Sequence, residues 1–135
     1  QNVLQNQIVK KLVRESDIIV DFHEGWDYHI INKNSIGSSL QTNMLETLCR
    51  FIIKDINRTI RDPNKHFVLS NTPIIKGSLR EFCDNKNKPY ILVETTRIEN
   101  EDERIRKCKM IKKNTLTLSR LKRYFGCFYL ETFVQ

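Results

Sequence analysis

No apolar run in this chain approaches the roughly 20 residues that cross a membrane, and no leader-like pattern opens it. The sequence thus gives no reason to expect a membrane partner. Its four cysteines, Cys49, Cys83, Cys108 and Cys127, lie far apart and form no Cys-x-x-Cys pair, which argues against a cysteine-based zinc ribbon. Cys49 falls within an amphipathic helical pattern and reads as a small buried hydrophobe. A reduced, cytoplasmic chain is the expected setting. Histidine is scarce as well: His23, His29 and His66 are the only ones, so any histidine-based chemistry has few places to be.

What is present is enough for one modest domain. A length of 135 residues supports a real core but not two of them. An apolar share of 39%, interspersed with charge, argues for a globular chain. The first residue is Gln1, and the expectation is a piece of something longer. The net charge of +7 raises nucleic acid or an acidic substrate as partners.

The chain is organised around Asp17-Ile18-Ile19-Val20-Asp21-Phe22-His23-Glu24-Gly25. The β-branched residues suit a short buried strand. Alternation puts Asp21 and His23 on one side of it and Phe22 on the other. Polar residues gather at its carboxyl end, where open parallel sheets bind ligands. A neutral imidazole oriented by an acceptor such as Asp21 is a common metal ligand.

An amphipathic helix over residues 3–15 leads straight into this strand, and together they form the αβ half of a βαβ unit. Residues 25–42 show no periodicity and read as a long loop. Met44, Leu48, Phe51, Ile52, Ile56 and Ile60 then give a helical apolar stripe, with Thr42 as its cap and residues 62–64 as its end. Residues 66–69 and 72–75 are short strand candidates, and residues 78–83 make a single helical segment. Pro89 to Glu94 is the second clear strand, again apolar until an acid at its carboxyl end. Glu101, Asp102 and Glu103 suit a helix amino terminus. The helix that follows carries many basic residues, which read as a solvated face. A last edge strand is expected at residues 127–133.

The segment Val20-Asp21-Phe22-His23-Glu24-Gly25-Trp26-Asp27-Tyr28 resembles the strand-to-loop segment of zinc carboxypeptidase-like hydrolases, particularly the succinylglutamate desuccinylase/aspartoacylase branch. That superfamily carries a zinc-ligating histidine in an Asp-x-His at a strand end. The resemblance implies that His23 ligates zinc and that Asp21 supports it. The Gly/Ser-containing residues 34–39 are also similar to a segment that follows the histidine strand in those hydrolases. In the same superfamily a late strand ends in the general-base glutamate, in several members as Glu-Thr. Glu94-Thr95 matches that pattern, and a metal-activated water needs such a carboxylate to accept its proton.

The fold implied is α/β and three-layered, a mixed, mostly parallel sheet with helices on both faces. Residues 1–135 would be the carboxyl-terminal part of such a catalytic domain. The implied activity is zinc-dependent hydrolysis of an amide bond in a small-molecule or peptide substrate, of deacylase or carboxypeptidase type. Arg80 and Arg97, with Arg104, are candidates for the substrate carboxylate, and Tyr28 for a further substrate contact.

The relatives also bind zinc through a His-x-x-Glu pair well before the Asp-x-His strand, and this chain has no such pair. A missing amino-terminal segment is therefore expected to supply the remaining ligands. Two rival readings stand beside this one. The first is a metal-free pseudoenzyme of the same fold. The second is a basic nucleic-acid-binding module using residues 104–123 with Tyr124 and Phe125, although no helix-turn-helix or RNP pattern is present.

Overall fold

The structure, a computed structural model, describes residues 6–121 and 128–130. The first element is α1 (Gln7–Glu15), whose amino end is capped by the Asn6 side chain accepting from the Ile8 and Val9 amides. The chain then runs through β1 (Ile19–Gly25), β2 (Ser39–Thr42), α2 (Glu46–Asn57) and β3 (Val68–Leu69). After these come α3 (Leu79–Asn85), β4 (Tyr90–Thr96), α4 (Glu101–Leu121) and β5 (Phe128–Leu130).

The fold is α/β, built on a mixed sheet of order β3-β2-β4-β1-β5. β1 pairs in parallel with both β4 and β5, β2 pairs in parallel with β3, and β2 runs antiparallel to β4. The two strands legible in the sequence are therefore neighbours in the centre. The last strand lies at an edge, as expected, within the described residues 128–130.

Alternation along β1 and β4 divides the core in two. Val20 and Phe22 of β1, with Ile91 and Val93 of β4, pack under Cys49, Ile52 and Ile56 of α2 and Ile111 of α4. Ile19 and Tyr90 face the other way, under Val13 of α1 and Leu79, Phe82 and Cys83 of α3. Helices thus cover both sheet faces. Each buried aliphatic side chain contributes roughly 1.5–3 kcal/mol to holding these layers together.

Several elements depart from their sequence reading. β2 falls inside the expected loop, because Ser39 and Gln41 are polar yet fully buried, so no apolar alternation marked the strand. The stripe of α2 is narrower than its periodicity suggested: Met44 precedes the helix and is exposed, as is Phe51. Thr42 does not cap α2, whose cap position is Leu45. It braces the entry instead, its Oγ1 accepting from the Leu45 amide. Residues 72–75 form no strand, and Ile74 and Ile75 point outward. Val3, Leu4, Tyr124 and Phe125 lie outside the described residues.

The loop between β1 and β2 folds back on itself. Tyr28 bridges to Gly37, and the Ser35 hydroxyl donates to the Asp27 carbonyl while accepting from the Asp27 amide. Gly37 crosses so close to Gly25 that a Cβ on Gly25 would lie 2.5 Å from the Gly37 nitrogen. This crossing lies against Gly25 at the end of β1 and Thr96 at the end of β4.

Candidate active site at the carboxyl ends of β1 and β4

In the parallel register of β1 and β4, His23 lies opposite Glu94 and Asp21 opposite Leu92. Register partners project to the same side, so Asp21, His23 and Glu94 share the α1/α3 face of the sheet. Asp21 and Glu94 are buried, whereas the His23 side chain keeps 30% of its exposure. One dry acid sits behind the imidazole, another sits beside it, and one edge of the ring opens to solvent.

The Asp21 carboxylate stands 3.1 Å from His23 Nε2 through Oδ1. Its Oδ2 accepts a 2.8 Å hydrogen bond from the Tyr90 hydroxyl. In the neutral ring Nε2–H then donates to Asp21, and Nδ1 carries the lone pair. Nδ1 lies 3.8 Å from Glu94 Oε1, too far for a hydrogen bond. Glu94 Oε2 is buried without a hydrogen-bond partner among the described residues.

Electrostatics follow from this packing. Burial pushes the Glu94 carboxyl up to about 7; the nearby imidazole opposes the shift and the Asp21 charge adds to it. For His23, burial lowers the basicity, but the hydrogen bond and charge of Asp21 together with the charge of Glu94 outweigh it and raise the pKa. Both groups therefore hold their protons to higher pH than an exposed histidine or glutamate would. Glu94 is not paired with Arg97, its simplest surface partner in the sequence.

The other candidates occupy different places. Arg97 is largely exposed, and its Nε lies 4.0 Å from Glu24 on the opposite sheet face. Arg104 donates to Glu24 as well. Tyr28 donates to Glu99 Oε1 at 3.0 Å, and Lys107 Nζ stands 2.5 Å from the same oxygen. That buried trio belongs to α4 and its approach, and the Tyr28 hydroxyl is held there by burial and by the Glu99 charge, which raise its pKa. Arg80 alone reaches the face of Glu94. From α3 its Nη1 donates to Gln41 Oε1 at 3.0 Å, and Gln41 sits one alternation from Ser39, the register partner of Glu94. Arg80 Nε and Gln41 Nε2 are buried without partners among the described residues.

Sequence reasoning missed Gln41 and Tyr90. Tyr90 had a signal: it precedes Glu94 by four residues in one strand, so alternation alone put both on one face. Gln41 had none, since its strand was not legible.

A cleft of about 410 Å³ opens beside His23 along α4, walled by Phe22, Arg104, Cys108, Lys109 and Lys112. Glu24 and Glu101 line it too, with Arg104 held by Glu24, so its wall carries charge of both signs, and Glu94 does not line it.

The zinc implied by the resemblance finds part of a donor set. His23 Nδ1 offers one donor, with Glu94, the candidate base, 3.8 Å away on the same face. His29 and His66 are spent on backbone carbonyls, of Ser35 at 2.6 Å and Ile60 at 2.8 Å. Among the described residues no group of three or more His, Cys, Asp or Glu is placed to hold a metal ion. A catalytic zinc takes three protein ligands, so further donors would have to come from outside these residues. Among the described residues no helix is long and apolar enough to cross a membrane. Comparison of the chain with protein-family models, with curated proteins and with solved structures finds no match.

Proposed function

We propose that this chain carries one side of the active site of a zinc-dependent hydrolase of the carboxypeptidase-like type, cleaving the amide bond of an N-acyl amino acid or a peptide. The observation that carries the reading is the Asp21–His23 pair set in register beside Glu94. Asp21 fixes the imidazole so that Nδ1 is the free nitrogen, which suits one zinc ligand. The remaining ligands come from a segment outside the described residues. The free Cys49, Cys83 and Cys108 fit a reducing, cytoplasmic setting.

Zinc bound there would polarise the scissile carbonyl and make water more acidic. The chain's own residues do the rest. Glu94, dry and titrating at about 7, accepts a proton from the attacking water through its carboxylate and returns it to the departing amine. Arg80 is the candidate anchor for a substrate carboxylate on the same face, while Arg97 and Tyr28 would have to leave Glu24 and Glu99 to contribute.

The test is elemental analysis of this chain and of a form extended towards its natural start, with and without His23→Ala, followed by hydrolysis assays of N-acyl amino acids with Glu94→Gln. Zinc near one per chain in the extended form, lost in His23→Ala, with turnover lost in Glu94→Gln, is the expected result. Zinc in neither form overturns the reading and leaves the nucleic-acid-binding module and the metal-free pseudoenzyme.

A further inference from the structure

Tyr90 lies under α3 with 2% of its surface exposed, packed against Val13, Leu79, Phe82 and Cys83. A phenylalanine would fill that apolar cluster equally well, and a buried hydroxyl costs free energy unless it is bonded. The hydroxyl donates to Asp21 Oδ2 at 2.8 Å. Asp21 turns its other oxygen to His23 Nε2 at 3.1 Å. The three groups are locked into the sheet by register: Tyr90 is the partner of Ile19, and Leu92 of Asp21, so Tyr90 and Asp21 meet diagonally across β1 and β4 on one face. The polar chain therefore begins in the apolar core and ends at the open edge of the imidazole.

We propose that Tyr90 is a positioning residue, whose hydroxyl holds the Asp21 carboxylate in the one orientation that presents His23 Nδ1 towards Glu94. The inference rests on the reading of His23 and Glu94 as a working pair, and it adds an outer partner that this reading lacks. A carboxylate at the end of a side chain has a free final torsion. With Oδ2 bonded to Tyr90, Oδ1 stays beside His23 Nε2 and takes its proton, which decides the tautomer of the ring. Without the hydroxyl, Oδ2 loses that bond and the acceptor of the Nε2 proton is held less firmly.

The experiment is proton and nitrogen NMR of the side chains at one fixed alkaline pH, in the wild-type chain, in Tyr90→Phe and in Asp21→Asn, with divalent-metal affinity measured in the metal-binding form. In the wild type, a downfield Nε2 proton of His23 in slow exchange is expected, together with a slowly exchanging Tyr90 hydroxyl. In Tyr90→Phe the His23 proton should exchange into solvent and vanish, while the amide spectrum stays that of the folded chain. Metal affinity should fall about tenfold, the usual size for loss of a ligand's outer partner. A His23 proton that is equally protected in Tyr90→Phe, or undetectable in the wild type, overturns the proposal. The outcomes separate from those of the zinc reading: a protected proton in a chain that never binds metal keeps Tyr90 and removes the hydrolase. Should Tyr90→Phe fail to fold, fluorotyrosine at position 90, which keeps the ring and changes the acidity of the hydroxyl, takes its place, and a His23 Nε2 proton that neither shifts nor changes its exchange overturns the proposal.

Discussion

His23 and Glu94 stand opposite each other across β1 and β4, with Nδ1 and Oε1 3.8 Å apart and the second Glu94 oxygen buried without a hydrogen-bond partner among the described residues. Both groups have pKa values above their ordinary ones, Glu94 at about 7 against 4.5. A group raised in the folded state contributes stability that is complete below its unfolded pKa and lost as pH rises through the folded value.

For Glu94 and His23 the sign is the same, so the chain free of added metal should lose stability as pH rises from about 4.5 to about 7 through Glu94, with His23 adding to the loss above its ordinary value of 6.5. The Glu94 shift sets a scale on the order of 3 kcal/mol. Urea unfolding across that range should show a declining midpoint for the wild type and a flatter line for Glu94→Gln, which has no charge to bury. A wild type that is more stable at the alkaline end would contradict this account of the pair.

The loop that closes over the strand ends depends on two bare α-carbons. A Cβ on Gly37 would lie 2.1 Å from the Asp27 carbonyl oxygen, and one on Gly25 would lie 2.5 Å from the Gly37 nitrogen. Both obstacles are backbone, which cannot swing aside as a side chain can. Gly37→Ala and Gly25→Ala should each cost roughly 2 kcal/mol or more, read as a drop in melting temperature. A melting temperature unchanged in both would mean that the crossing is not present in solution.

Asn57 ties the end of α2 to the start of β3. Its Nδ2 donates to the Phe67 carbonyl at 3.0 Å and its Oδ1 accepts from the Phe67 amide at 2.8 Å. Asn57→Ala would leave two backbone groups beside a buried ring unpaired, at a cost of about 1–3 kcal/mol. The Asn-Arg-Thr sequon at 57–59 should also remain unmodified in the folded chain, because a glycan on Nδ2 would break the same pair. Mass measurement after secretion from a glycosylating host checks this directly.

What was legible in the sequence was what hydrophobic pattern controls. The strands around Val20 and Val93 and the helices α2, α3 and α4 announced themselves through β-branched runs or helical stripes. The placement of Asp21 and His23 on one face, away from Phe22, followed from alternation and is what the structure shows. The boundaries were harder, since β1 begins at Ile19 but runs on through the polar His23 and Glu24, which pair with β4 instead of packing in the core. Ser39–Thr42 was illegible because its burial is polar: Gln41 is held by Thr72 and Arg80, partners far away in the chain. The site was half legible for the same reason. Strand ends gave His23 and Glu94, whereas the diagonal contact of Tyr90 with Asp21 needed the register.

The basic helix is where charge was most misleading. Lysines and arginines along α4 were expected to form a solvated face, yet Lys107 is 1% exposed, its ammonium against Glu99 and over the Phe67 ring. Arg104 is held by Glu24, and Arg106 by Glu103. These pairs differ in kind. The Arg106 pair is partly exposed and worth less than about 1 kcal/mol, whereas Lys107→Ala would strip a desolvated Glu99 of its cation and leave it only the Tyr28 hydroxyl among these partners, costing roughly 3–5 kcal/mol. Denaturant unfolding of Lys107→Ala and Arg106→Ala should separate by at least about 2 kcal/mol. The same burial bears on the nucleic-acid reading, since a phosphate backbone recruits cations that it can reach. Lys107→Met, which keeps the stem and removes the charge, should leave any affinity for single-stranded nucleic acid unchanged. If that affinity and its salt dependence instead fell with Lys107, the ammonium would have to leave Glu99 to meet phosphate, and α4 would be a binding face instead of a wall of the core.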